Sequence, residues 1–306
     1  MRNYQSMLAA LLVTVLHGVA ILLVSAPAFA DTNGTLTVST DTMLSQTHHG
    51  DVVIVADGVT LDCNGHSIFG VGLNMGIRLD GRTLVTVKNC KVQGFVHGIF
   101  LFQASNNILM GNTTNQNDFG FALESSAANQ FVGNTANHNT FAGFAPGASS
   151  GNAFTGNTAN HNGRNGFEIH VGSDNNTFTD NTANENGVFG IALNASSHNR
   201  IQSNVANHNA ISGFSLIDSS ASNILEDNTA DRNGFAGFDL RSSPSNTIFD
   251  NTATKNLMFG FYFENSSLNT VRQNTACGNR ELDAFQDLAS TGNIFDNNLF
   301  CLTGGI

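Results

Sequence analysis

The stretch NQFVGNTANHNTFAGFAPGASSGNAFTGNTANHNGRNGFEI, residues 129–169, contains the same phrase twice. The phrase reads Asn, any residue, apolar, any, any, Asn-Thr-Ala, two variable residues, Asn, and then Gly-Phe. Working outward in both directions, its opening Asn recurs at positions 107, 129, 152, 176, 199, 223, 246, 269 and 293. A second Asn follows five residues later in every copy, and a third follows five after that in all but the last. The steps are 22 to 24 residues, too regular over nearly two hundred residues to be a product of composition.

The columns between the asparagines alternate. Two places past the opening Asn stand Leu109, Phe131, Phe154, Phe178, Ile201, Leu225, Ile248, Val271 and Phe295. Ala136, Ala159, Ala183, Ala206, Ala230, Ala253 and Ala276 form a second inward column. Phe121, Phe144, Phe167, Ile191, Phe214, Phe238 and Phe261, each behind a glycine, form a third. A period of two is strand geometry with one buried face, whereas a helical solenoid needs a period of 3.6 and better helix formers than Asn, Gly and Thr. Three short strands per coil of about 23 residues predict an all-β, right-handed parallel β-helix solenoid. Stacked strands lie about 4.8 Å apart, so each Asn column becomes a ladder whose amides bond from coil to coil.

Before the repeat, Arg2, the apolar run Met7 to Val24 and Ala28-Phe29-Ala30 have the layout of a signal peptide, with cleavage expected after Ala30. Residues 31–58 are expected to cap the open amino end, and 59–306 to form the coils, with Leu299-Phe300 as a bulky plug at the far end. No later run is apolar enough to span a membrane. The exported part carries 11 basic and 23 acidic side chains, net −12, with no basic stripe, which excludes nucleic acid as a partner. Its four cysteines suit an oxidising compartment, secreted or periplasmic. Cys277 and Cys301 both lie three residues past the second Asn of consecutive copies, so they stack within reach of a disulfide. Cys63 and Cys90 then pair by elimination.

VTLDCNGHSIFG at 59–70, VTVKNCKVQGFVHGI at 85–99 and the tandem NTANHN coils resemble the parallel β-helix repeat family, which includes NosD-like periplasmic proteins and the wider pectate-lyase-like superfamily. The resemblance spans about 55–300. It implies a parallel β-helix and a superfamily of polysaccharide lyases, glycoside hydrolases, uronan epimerases and non-catalytic members. NosD-like membership implies copper handling by association, although the chain shows no His/Met/Cys cluster. The Asp-Pro-His-Asp motif of alginate epimerases is absent, as is the carboxylate constellation of polygalacturonases.

Outward positions beside the Phe column are the natural place for a groove. They hold Glu168/His170, Ala192/Asn194, Asp239/Arg241 and Tyr262/Glu264. Register places Asp239 over Tyr262 and Arg241 over Glu264, with the two carboxylates about 8 Å apart, a separation that suits an acid/base pair. Arg241 would hold a carboxylate ionised or bind an anionic sugar, and Tyr262 and Asn194 would contact ligand. Glu168 with His170 is a second such pair. The same residues also make an ordinary surface salt bridge. Asp227 and Asp250, a coil apart, invite a bridging Ca²⁺, or are simply solvated. His138 and His161 stack in a column of mixed character, as an unconstrained outward column would. With no Trp, and with most Phe expected in the core, the chain offers few aromatic platforms for sugar. Three readings follow: a polysaccharide lyase, hydrolase or epimerase; a non-catalytic binding or surface-structural solenoid; and a periplasmic accessory protein in metal-cofactor maturation.

Overall fold

The structure is a computed structural model that describes residues 32–306; the expected signal peptide lies outside the described residues. Every described strand pairs in parallel with its counterpart one coil away, and the described residues contain no helix. One face of the solenoid is a 13-stranded sheet and another is a 12-stranded sheet. The third face is less continuous. It has a five-stranded sheet near the amino end and a four-stranded sheet near the carboxyl end. Between them only single bridges remain, running Thr113, Thr135, Thr158, Thr182, Val205 and Thr229. On that face two Asn ladders stand five residues apart and leave room for little more than the Thr-Ala pair between bends. Residues 32–58 contribute strands such as Leu36–Val38 and Val52–Ile54, which continue the 13-stranded sheet at its amino end.

The inward columns stack as the alternation requires. Phe121, Phe144 and Phe167 lie face to face with centroids 4.7 Å apart, and Phe131, Phe154 and Phe178 do the same across the core. The two columns meet edge to face, as with Phe121 and Phe131 at 87°. Each such ring removes enough apolar surface from water to contribute roughly 1.5–3 kcal/mol. At the carboxyl end the expected plug is only half formed. Phe300 packs against the core beside Phe261, while Leu299 is exposed.

Bends are held by side-chain ladders. Asn181 donates from Nδ2 to Oδ1 of Asn204 at 2.9 Å, and Asn204 donates to Asn228 at 3.0 Å. Each backbone N–H of the ladder donates to the same oxygen, and each second Nδ2 hydrogen reaches a carbonyl of the coil behind. These buried groups are satisfied without water. The residue before each ladder position turns through the left-handed region, as at Asn106 (φ 57°), Gly111 (φ 61°) and Gln116 (φ 58°). A fourth ladder, of serines, also appears. Ala104 and Ser126 donate through their backbone N–H to the hydroxyls of Ser126 and Ser149, and the column continues through Ser173. Cys63–Cys90 and Cys277–Cys301 are disulfide-bonded, with Cα separations of 4.7 and 5.2 Å, and they tie coils at the two ends of the stack.

Candidate functional site

The outward face of the 13-stranded sheet carries the chemistry. Its middle column reads Arg78, Phe100, Ala122, Ala145, Glu168, Ala192, Ser215, Asp239, Tyr262 and Phe285, in register from coil to coil. Strands Ala236–Arg241 and Phe259–Glu264 pair Asp239 with Tyr262 and Arg241 with Glu264. Although it points outward, Asp239 is only 1% exposed. Arg241 covers it, donating from Nε to Oδ1 at 2.9 Å, and its guanidinium lies over the rings of Phe235 (5.1 Å) and Tyr262 (5.3 Å). Arg241 also reaches Glu264 through Nη1 at 3.4 Å, and Tyr262 donates its hydroxyl to the same Glu264 oxygen at 3.4 Å. The expected Arg241–Glu264 salt bridge is therefore one edge of a four-residue cluster.

Burial pushes the Asp239 carboxyl above the ordinary aspartate range, and the bond from Arg241 offsets this only in part. Ser212 donates to the other carboxylate oxygen at 3.5 Å. One coil away, Ser215 stands directly beside Asp239 with a buried hydroxyl that has no hydrogen-bond partner. A buried carboxyl with a raised pKa beside an unsatisfied hydroxyl can exchange a proton with a bound ligand.

Glu168 and His170 are three coils away, about 14 Å along the stack. Glu168 is nearly buried and lies 3.7 Å from His170 Nε2 and 3.9 Å from Arg164 Nη2. Asn194 is half-buried in the outer column, one coil past His170. Asp227 and Asp250 sit exposed at left-handed bends, φ 56° each. Asp227 accepts the Ser203 hydroxyl at 3.1 Å, and Glu226 is drawn to Arg200 instead of toward the pair.

The expectation that phenylalanine is largely confined to the core is corrected here. Phe100, Phe119, Phe141, Phe235, Phe259 and Phe285 all lie at least partly exposed on this outward face. Gly76-Ile77 and Gly98-Ile99 carry the register back to Arg78 and Phe100, and the residue before each such glycine is Met75, His97 or Phe119. That extension of the repeat was the available signal. It leads to a groove of about 520 Å³ around His97, Phe100, Phe119, Ala145 and His170.

The family model described as right handed beta helix region matches residues 75–224, and that for the periplasmic copper-binding protein NosD matches 169–301. Comparison with curated protein sequences found no match. Among solved structures, the periplasmic alginate epimerase AlgG is similar at 15% identity and TM-score 0.74, over 87% of this chain and 77% of that one. The Azotobacter vinelandii mannuronan C-5 epimerase AlgE6 A-module is similar at 18% and 0.58, over 86% and 80%. The catalytic domain of a GH87 alpha-1,3-glucanase with nigerose matches at 13% and 0.51, over 86% and 61%. At these identities the likeness shows the fold.

Copper does not fit the donors among the described residues. His138 and His161 stack 5.0 Å apart with rings 2° from parallel, so their lone pairs run side by side instead of converging. Among the described residues, Cys277, Asp283 and Cys301 form the one group of three His, Cys, Asp or Glu ligands close enough for a metal, and its two sulfurs are bonded to each other. No described helix is long and apolar enough to cross a membrane.

Proposed function

The chain belongs to the right-handed parallel β-helix repeat family, NosD-like in its later coils, and on that premise we propose that it is an exported protein that binds and processes a polysaccharide along the outward face of its 13-stranded sheet. The observation that carries this reading is Asp239, an outward carboxyl buried under Arg241 with its pKa raised. With its carboxyl pushed toward the protonated form by burial, Asp239 is the proton carrier in this reading. Arg241 and Tyr262 hold the sugar, and Glu264 is the second carboxylate of an acid/base pair. Glu168 with His170 is a second candidate pair on the same face, and Asn194 lies between the two as a hydrogen-bonding contact. The similar solved structures include alginate epimerases and a glucanase with bound sugar, which supports a carbohydrate partner.

Ca²⁺ at Asp227 and Asp250 belongs to this proposal, and its check is a melting midpoint that rises on adding Ca²⁺ and falls back with chelator. The main test pairs glycan screening with Asp239→Asn. Turnover lost in a folded variant supports the assignment, and unchanged turnover removes Asp239 from it. The second reading, a non-catalytic binding solenoid, rests on the single guanidinium that ties both carboxylates together. Glycan contact at this patch without turnover would favour it.

A further inference from the structure

The third face of the solenoid is as regular on its outside as the core is within. Its first outward column holds Thr in every coil from Thr113 to Thr275 except at Val205, each in register with the next. Two residues on, past the buried Ala, a second outward column holds Asn115, Asn137, Asn160, Asn184 and Asn207 before it gives way to Asp231. Outward columns elsewhere vary freely, as with Met110, Thr155, Gln202, Glu226 and Arg272 on the 12-stranded sheet. Between Thr113 and Asn207 neither of the two columns holds a charge, although the chain as a whole is strongly acidic.

The fold accounts for only part of this. Each Asn oxygen accepts the backbone N–H of the next coil, as Asn137 does from Asn160 and Asn160 does from Asn184, both at 2.7 Å. Those bonds fix the amides, yet their Nδ2 groups have no hydrogen-bond partner among the described residues. The hydroxyls of Thr113, Thr135, Thr158 and Thr182 have none there either, and both columns stay partly exposed. A β-branched side chain is stiff at χ1, so the hydroxyls are also held in place. Gly111, Gly133 and Gly156 make the bend on one side with no side chain to rise above the rows, and His138 and His161 mark the opposite edge.

The result is a flat, rigid, uncharged grid. Its points lie about 4.8 Å apart along the stack and about 6.7 Å apart across it, two residue rises. Waters bound at each hydroxyl and amide take the same spacing. Both intervals are close to the oxygen repeats along and across the prism plane of hexagonal ice. The threonine methyls add apolar surface that restricts first-shell water further. We infer that this Thr/Asn face, best formed from Thr113 and Asn115 to Thr182 and Asn184, is an ice-binding surface whose partner is the prism plane of an ice crystal. It is independent of the polysaccharide reading, which concerns the 13-stranded sheet.

The test uses the purified protein and two readouts, uptake into slowly growing ice and thermal hysteresis. The parent should enter the ice, facet the crystal and hold its freezing point below its melting point. Thr158→Tyr raises a ring above the grid. Asn160→Asp keeps the oxygen that accepts the Asn184 N–H but replaces the free NH2 with a charged oxygen. Each should lose most of the hysteresis, whereas Thr179→Tyr, outward on the 12-stranded sheet, should keep it. Circular dichroism and melting midpoints establish that all three fold. The inference is overturned if growing ice excludes the parent, if both folded grid variants keep its hysteresis, or if Thr179→Tyr loses as much as they do. Adsorption to microcrystalline cellulose through this face, with no uptake into ice, would overturn it in favour of a polysaccharide surface.

Discussion

At Asp239 the balance between burial and ion pairing has a measurable sign. Its carboxyl pKa is raised in the folded protein, so between the unfolded and folded values the native state holds the extra proton. Stability contributed by this group therefore falls as pH rises through that window, and it is intact below the unfolded value near 3.8. Asp239→Asn should remove this dependence. The variant's melting midpoint, measured against the parent, should be more favourable at pH 7 than at pH 3.5, and a constant difference across that range would refute the burial argument. Position 204 gives a second contrast. Asn204→Leu leaves Asn181 and Asn228 without their shared partner, at a cost of about 1–3 kcal/mol per unsatisfied group, whereas Asn194→Leu alters a half-buried outward side chain. Denaturant midpoints should separate the two clearly. The alternation of apolar columns was enough to place Asp239 outward and Asn204 inward. The burial of Asp239 was not legible, because it depends on Arg241 folding over it and against the Phe235 ring, and side-chain covering leaves no periodic trace.

Among the elements, the glycine that stands second in each long strand from Met75–Asp80 to Phe259–Glu264 is closely confined. A Cβ on Gly213 would meet the Ala206 carbonyl oxygen at 2.8 Å, the Ala230 methyl at 2.9 Å and the Gly237 oxygen at 2.9 Å. The 13-stranded sheet can approach the Thr-Ala face this closely only without a side chain there. Gly213→Ala should destabilise by about 1–3 kcal/mol through overpacking, read by urea midpoint, and a neutral effect would mean that the two faces can part cheaply. The Asn ladders and the disulfide register were readable as spacings in the chain. The serine ladder was equally periodic, three residues before each opening Asn from Ser126 to Ser290, but serine also fills ordinary loops and so does not announce a buried role. The thin third face was hidden for another reason. Thr-Ala alternates like a strand, and only the bends on either side shorten it to one bridge.

For the molecule as a whole, coils that contact only their neighbours should be removable one at a time. Deleting residues 176–198 joins Asn175 to Asn199 and preserves a left-handed residue before a ladder asparagine. The protein should fold into a solenoid shorter by about 4.8 Å, with Glu168 now beside Ser215, and scattering with circular dichroism would show it. Loss of the β signal would mean that the stack is not modular. In every asparagine ladder the donor sits on the amino-side coil and the acceptor on the coil that follows, as from Asn112 to Asn134 and from Asn134 to Asn157. Such a column does not read the same in reverse. The solenoid is thus a vector with a distinct head and tail, and its head is also the end that is synthesised first. Each completed coil holds out amide hydrogens to a coil not yet made, so a chain emerging amino end first can assemble in the order of its own translation.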